Sequence, residues 1–89
     1  MAGSAPPASP PMGRLDAIEA GSKKITVQTE FFHHPAWRVE TKIYVAGEVK
    51  KLYTAALDST PEDQLQRAIN EFHQTKYDEI VAGLRKRVE

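Results

Sequence analysis

ITVQTEFFHHPAWRVETKIYV, Ile25 to Val45, is the stretch that decides the fold. Its apolar residues recur at every second position: Ile25, Val27 and Phe31 with Thr29 among them, then Trp37, Val39, Ile43 and Val45 with Thr41 among them. A period of two sends successive side chains to opposite faces of an extended chain, so each half reads as a strand with one buried and one wet face. Thr26, Gln28, Glu30 and Phe32 fall on the wet face of the first strand; Arg38, Glu40, Lys42 and Tyr44 fall on that of the second.

Parity tests the connection between them, because a one-residue slip turns every side chain to the wrong face. A loop of His33, His34 and Pro35 pairs Phe32 with Ala36 and sets Phe31 against Trp37, Thr29 against Val39, Val27 against Thr41 and Ile25 against Ile43. The apolar residues then share one face, and Glu30 meets Arg38 on the other as an opposite-charge pair. Downstream, Val49, Lys51, Tyr53, Ala55 and Leu57 predict a third strand. A loop of Val45, Ala46 and Gly47 joins it to the second, with Gly47 in the left-handed conformation of a bulged hairpin, and sets Ile43 against Val49 and Val39 against Tyr53.

A helix follows. In DSTPEDQ, Thr60 suits the N-cap, Pro61 the first helical position and Asp63 the positive end of the helix dipole. Leu65, Ala68, Ile69, Phe72, Ile80 and Leu84 then fall in one sector of the helical wheel, with Arg67, Glu71, Gln74, Asp78 and Arg85 opposite. Lys76 interrupts the apolar sector, and its amine is expected to snorkel outward. About 27 residues of helix reach ~40 Å at 1.5 Å per residue, and a strand of about nine residues reaches ~30 Å. The last turns are therefore expected to overhang the sheet. The predicted architecture over residues 22–89 is α+β: a three-stranded antiparallel meander packed on one long C-terminal helix (βββα), with Val27, Phe31, Trp37, Val39, Ile43, Phe72 and Ile80 in its core.

The chain before this domain reads differently. MAGSAPPASPPMG, residues 1–13, holds four of the six prolines among Ala, Ser and Gly, a composition that predicts a disordered tail. Pro7 and Pro10 have PxxP spacing, which any proline-rich tract produces readily. RLDAIEAG, residues 14–21, places Leu15 and Ile18 three apart before Gly21, enough for a short helix of two turns at most, or a linker.

Composition bounds the function. Twelve Lys plus Arg balance twelve Asp plus Glu, so no net field draws the chain to polyanions. The absence of cysteine excludes disulfides, a thiolate nucleophile and Cys-based zinc sites, and suits a reducing compartment. No apolar run approaches the length of a membrane span, and no basic segment followed by an apolar one opens the chain. A cytoplasmic protein without membrane contact is expected.

Chemistry-bearing motifs are sparse. His33 and His34 are neighbours in a turn, and their nearest helpers for a metal are Glu30 and the distant His73, too few for a divalent site; no metal site is assigned. What the two can do is present a pH-sensitive loop tip. His73 lies near the apolar border of the helix, where a packed histidine donating to a backbone or carboxylate group is the commoner arrangement; with Tyr77 one turn later it also fits a partner-facing patch. No nucleophile elbow, P-loop, glycine-rich cradle or HExxH is present, so neither catalytic residues nor a cofactor is assigned. The basic run Arg85, Lys86 and Arg87 suits a helix C-terminus or an acidic protein surface.

Two resemblances follow. A short helix, three strands and a helix is similar in element order to the double-stranded RNA-binding domain over residues 14 to 75. That family opens its last helix with phosphate-gripping lysines, whereas this helix opens with TPEDQ. ITVQTEFF, RVETKIYVAGEVKK and TPEDQLQRAINEFH, within residues 24 to 74, resemble short bacterial adaptors that serve small Ras-like GTPases in polarity and motility systems, the RomX-like class. That resemblance implies a protein without chemistry of its own, working in complex with a GTPase or its scaffold.

The expected function is a non-enzymatic protein-interaction module, an adaptor binding by a sheet edge or a helix face, with a homodimer as one form of the contact. Phe32, Tyr44, His73, Tyr77, Leu84, Arg85, Lys86 and Arg87 are the candidate contact residues. The alternative is a weak nucleic-acid-binding module using Arg38, Lys42, Lys50, Phe32 and Tyr44 on the outer sheet face.

Overall fold

A computed structural model describes residues 5–88, with side chains through Leu84. Four strands form one antiparallel sheet in the order β1-β2-β3-β4: β1 Arg14–Ala20, β2 Lys23–Phe32, β3 Arg38–Val45 and β4 Glu48–Ala56. One turn of 3-10 helix, Glu62–Gln64, leads into α1, Leu65–Val88. The α+β class and the C-terminal helix are as expected. The sheet has four strands rather than three, because residues 14–20 are a strand and not a short helix or linker.

The inward set of β1 explains that difference. Arg14, Asp16, Ile18 and Ala20 are partly buried and alternate with exposed Leu15, Ala17 and Glu19. The face turned toward the helix thus includes two charged residues, and an apolar residue, Leu15, faces outward at 67% exposure. Hydrophobic alternation was absent, and the Leu15–Ile18 spacing imitated a helix. Gly21, at φ 65°, makes the two-residue turn that pairs Ala20 with Lys23. A positive φ at the first turn position alone is the II′ pattern, which glycine meets without steric cost.

The β2–β3 register, and the β3–β4 register beyond a bulge, differ from expectation by two residues, so faces are preserved there while partners change. Phe32 pairs with Arg38, Phe31 with Val39, Thr29 with Thr41, Val27 with Ile43 and Ile25 with Val45. The loop therefore runs from His33 to Trp37, and Trp37 packs edge-on against Phe31, with ring centroids 6.0 Å apart. Glu30 faces Glu40 rather than Arg38. Each carboxylate is engaged laterally: Gln28 Nε2 donates to Glu30 Oε1 at 2.7 Å, and Arg38 Nε donates to Glu40 Oε2 at 2.7 Å as an ion pair.

Between β3 and β4 the turn is Ala46–Gly47, both left-handed at φ 53° and 86°, the I′ pattern. The ladder then slips between Ile43 and Tyr44: Tyr44 pairs with Val49 and Ile43 with Lys51, leaving Lys50 as the extra residue of a bulge. Past the bulge, Thr41 faces Tyr53 and Val39 faces Ala55. The bulge turns Val49 to the outer face, where it is 54% exposed, and undoes the expected Ile43–Val49 contact.

The helix begins later than its sequence signals suggest. No side chain caps the 3-10 turn, so Thr60 does not act as the expected N-cap. Glu62 instead accepts a hydrogen bond from the backbone N–H of Ala8 at 3.0 Å. Residues 5–13, expected from composition to be a disordered tail, lie without regular secondary structure against this end of the helix. The Met12 N–H donates to Gln66 Oε1 at 2.7 Å, Trp37 Nε1–H donates to the Ala5 carbonyl at 2.7 Å, and Pro7 is buried.

The core between sheet and helix falls into two clusters. Trp37, Val39, Leu57, Leu65 and Ile69 form one, with Phe31 and Phe72 packed against it. Ile25, Val27 and Ile43 form the other, flanked by Ile18, Tyr77, Ile80 and Leu84. All seven predicted core residues belong to these clusters.

Candidate functional site

A belt of polar side chains separates the clusters. Thr29 and Thr41 are the inward residues of the middle row of β2 and β3, and His73 descends on them from α1; all three are 0% exposed. His73 Nδ1 lies 2.7 Å from Thr29 Oγ1, Thr29 Oγ1 lies 2.7 Å from Thr41 Oγ1, and His73 Nε2 lies 2.6 Å from Asp16 Oδ2 on β1. A carboxylate only accepts, so Nε2–H donates to Asp16. In the neutral ring Nδ1 then accepts from the Thr29 hydroxyl, which accepts in turn from Thr41. This direction satisfies each buried group, and no buried side-chain polar atom among the described residues lacks a partner.

The order carboxylate, imidazole, hydroxyl is that of a hydrolytic triad, but here the hydroxyl is sealed. Thr29 has no exposed surface and spends both its donor and its acceptor capacity inside the core. A nucleophile needs room for a substrate carbonyl beside it, and this one has two strands and a helix instead. The belt is a fastening: it ties edge strand β1 to α1 and β2 to β3 at the centre of the core. Arg14 adds a second tie, donating from NH1 to Asn70 Oδ1 at 3.1 Å. The expected packed histidine bonded to a carboxylate is thus what His73 is. Being fully buried, it offers no surface to a partner, and its place in a contact patch is corrected accordingly.

The open surface lies elsewhere. α1 approaches the backbones of β1, β2 and β3, but among the described residues it makes no close backbone approach to β4. Between β4 and the later turns of α1 the sheet stays uncovered, and a groove of about 370 Å³ remains. Its floor and helix wall are apolar: Ile25, Ile43, Val45, Ile80 and Leu84. Its rim carries Lys50, Lys51 and Lys76 against one carboxylate, Glu79. Lys76 does not reach outward as expected. Its amine lies 4.4 Å from the Tyr53 ring centroid and 5.2 Å from that of Phe72, bridging helix to β4 over aromatic faces, with Glu79 at 3.7 Å.

The candidate contact residues are dispersed. Leu84 lines the groove, and Tyr77 is half-buried against the same apolar cluster. Phe32 and Tyr44 lie on the opposite, outer face of the sheet; the Phe32 ring is covered by the Arg38 guanidinium at 4.6 Å. The side chains of Arg85, Lys86 and Arg87 lie outside the described residues. His33 and His34 are exposed in the loop between β2 and β3. Among the described residues no three His, Cys, Asp or Glu side chains are placed to share a metal ion, and no helix is long and apolar enough to cross a membrane.

Sequence reasoning missed Asp16, Lys51, Tyr53 and Gly83. A signal for the belt was present: Thr29 and Thr41 interrupt otherwise apolar inward rows, and His73 falls on the apolar stripe of the helix. Three polar residues on three faces that must meet imply one another. The groove had no such signal, because it depends on where the helix crosses the sheet.

No protein-family model, curated protein or solved structure matches the chain.

Proposed function

We propose that this chain is a non-enzymatic interaction module, an adaptor that docks a protein partner in the groove between α1 and β4. One observation carries the reading: a groove lined by half-buried Val45, Ile80 and Leu84 runs beside a strand at the edge of the sheet. Apolar clefts with a few convergent polar groups are the usual shape of a binding site. The resemblance to RomX-like adaptors supplies the partner class, a small Ras-like GTPase or its scaffold, acting in the cytoplasm.

The outer face supports the nucleic-acid alternative poorly. Glu30 and Glu40 stand side by side on its two inner strands, Arg38 is engaged with Glu40, and the Phe32 ring is already covered. A base-stacking platform needs free aromatic faces and unopposed cations. Affinity capture from the native cell with wild type, Leu84→Asp and Leu52→Asp separates the readings. Loss of a protein partner with Leu84→Asp alone is expected, with recovery unchanged by nuclease. Loss confined to Leu52→Asp, on the outer face, or recovery of nucleic acid that falls steeply with salt, overturns the proposal.

A further inference from the structure

Gly83 lies inside α1 and lines the groove, and its own fold gives no reason for a glycine there. A Cβ built on it meets nothing within 4 Å. Within a helix, glycine is less favourable than alanine, and neither a turn nor a left-handed φ at Gly83 offsets that. Glycine permits the close approach of another backbone, and Gly83 leaves that room open on the groove side of α1.

Charge narrows what approaches. Lys51 has no ion-pair partner among the described residues, Lys50 is paired only with exposed Glu48 at 3.3 Å, and Lys76 only loosely with Glu79. The sequence adds Arg85, Lys86 and Arg87 directly after Leu84. The groove is thus an apolar trough in a basic rim on a chain of zero net charge. Strand addition at this end of β4 is disfavoured by the Lys50 bulge and by the paired lysines, both devices that protect sheet edges. A helix laid on the face avoids the ladder. A second copy of this chain fits badly, since its one long helix turns its apolar stripe to its own sheet and ends in basic residues.

We infer that the occupant is an acidic amphipathic helix of a partner protein, its apolar anchors on half-buried Val45, Ile80 and Leu84, its carboxylates facing Lys50 and Lys51, and its backbone crossing α1 at Gly83. This rests on the groove being the docking surface. It follows the helix-in-groove mode, read as anchors at i, i+3, i+4 and i+7, with a small residue permitting close helix contact.

Fluorescence anisotropy tests it on the full chain. The probe is a labelled model helix with leucines at those spacings and glutamates elsewhere, compared with the same helix bearing lysines. The acidic helix is expected to bind at least tenfold tighter than the basic one, and more weakly as salt rises. Lys50→Glu with Lys51→Glu should weaken it about tenfold, since each removes a charge contact at the surface. Gly83→Leu should abolish binding while the helix stays folded by circular dichroism. Gly83→Ala should raise the thermal midpoint of the free protein by roughly 2–8 °C. Absence of binding by the acidic helix, equal binding of both helices, or a Gly83→Leu protein that binds like wild type overturns the inference. If Leu84→Asp still loses the cellular partner under those outcomes, only the occupant is wrong; if Leu84→Asp retains it, the docking surface falls too.

Discussion

Replacing His73 with leucine is expected to cost about 2–3 kcal/mol, a drop in thermal midpoint of roughly 8–24 °C for a domain of this size. The ring bonds a carboxylate through Nε2 and a buried hydroxyl through Nδ1. Leucine keeps the apolar contacts and removes both bonds. The loss stops short of that for a stranded buried charge, because the Asp16 side chain is 44% exposed and can turn to water, and Thr29 keeps Thr41. The diagnostic result is the triple variant Thr29→Val, Thr41→Val and His73→Leu, which should recover most of the loss. With the three fully buried members replaced by apolar groups of similar shape, only the Asp16 carboxylate remains, and at 44% exposure it can turn to water. Thermal melts of the single, double and triple variants measure this. Additive losses along the series would mean that the four side chains do not act as one unit.

Ile69→Ala is expected to cost about 2–5 kcal/mol. Ile69 is 0% exposed beneath α1, in the cluster that holds Trp37, Leu57 and Leu65. Alanine has the highest helix propensity, so the loss reports packing and the cavity left behind rather than a weakened helix. Against the roughly 4–13 kcal/mol expected of 89 residues, this is a large share of the total. The urea midpoint should fall with little change in slope. Ile80→Ala provides the contrast: it is half-buried at the groove and should cost less. Equal losses at the two positions would contradict the division of the helix into a sealed first half and an open second half.

What the sequence made legible follows from periodicity. Alternation in Ile25–Val45 assigns β2 and β3 their faces, and parity preserved those faces even though both hairpins are offset by two residues. Parity cannot see an even shift: a three-residue loop and the observed His33–Trp37 loop are equivalent to it. The bulge at Lys50 is invisible for the opposite reason, since an odd insertion reverses the faces beyond it and left Val49 assigned to the core. β1 was hidden because its inward residues are Arg14 and Asp16 as well as Ile18, and their partners, Asn70 and His73, are more than fifty positions away. Polar burial is a property of pairs, and only one member of each pair lies in any local window. The groove is less legible still. It arises from the crossing of α1 over β1 to β3, a tertiary angle that no single segment encodes.

His33 and His34 illustrate the same point from the other side. Two adjacent histidines before a proline draw the eye in the sequence, yet they sit in an exposed loop at the end of the sheet. The histidine that organises the molecule is His73, which looked like one more residue at the edge of an apolar stripe.

Position-resolved photo-crosslinking tests most directly whether the side of α1 beside β4 is the working surface. A photoreactive phenylalanine analogue placed at Glu79, on the groove rim, is compared with the same group at Leu52, 56% exposed on the outer face. Irradiation in the native cell is expected to join the Glu79 position to another protein and to leave the Leu52 position unlinked. Adducts formed from Leu52 with none from Glu79 would contradict the account and move the function to the outer face of the sheet.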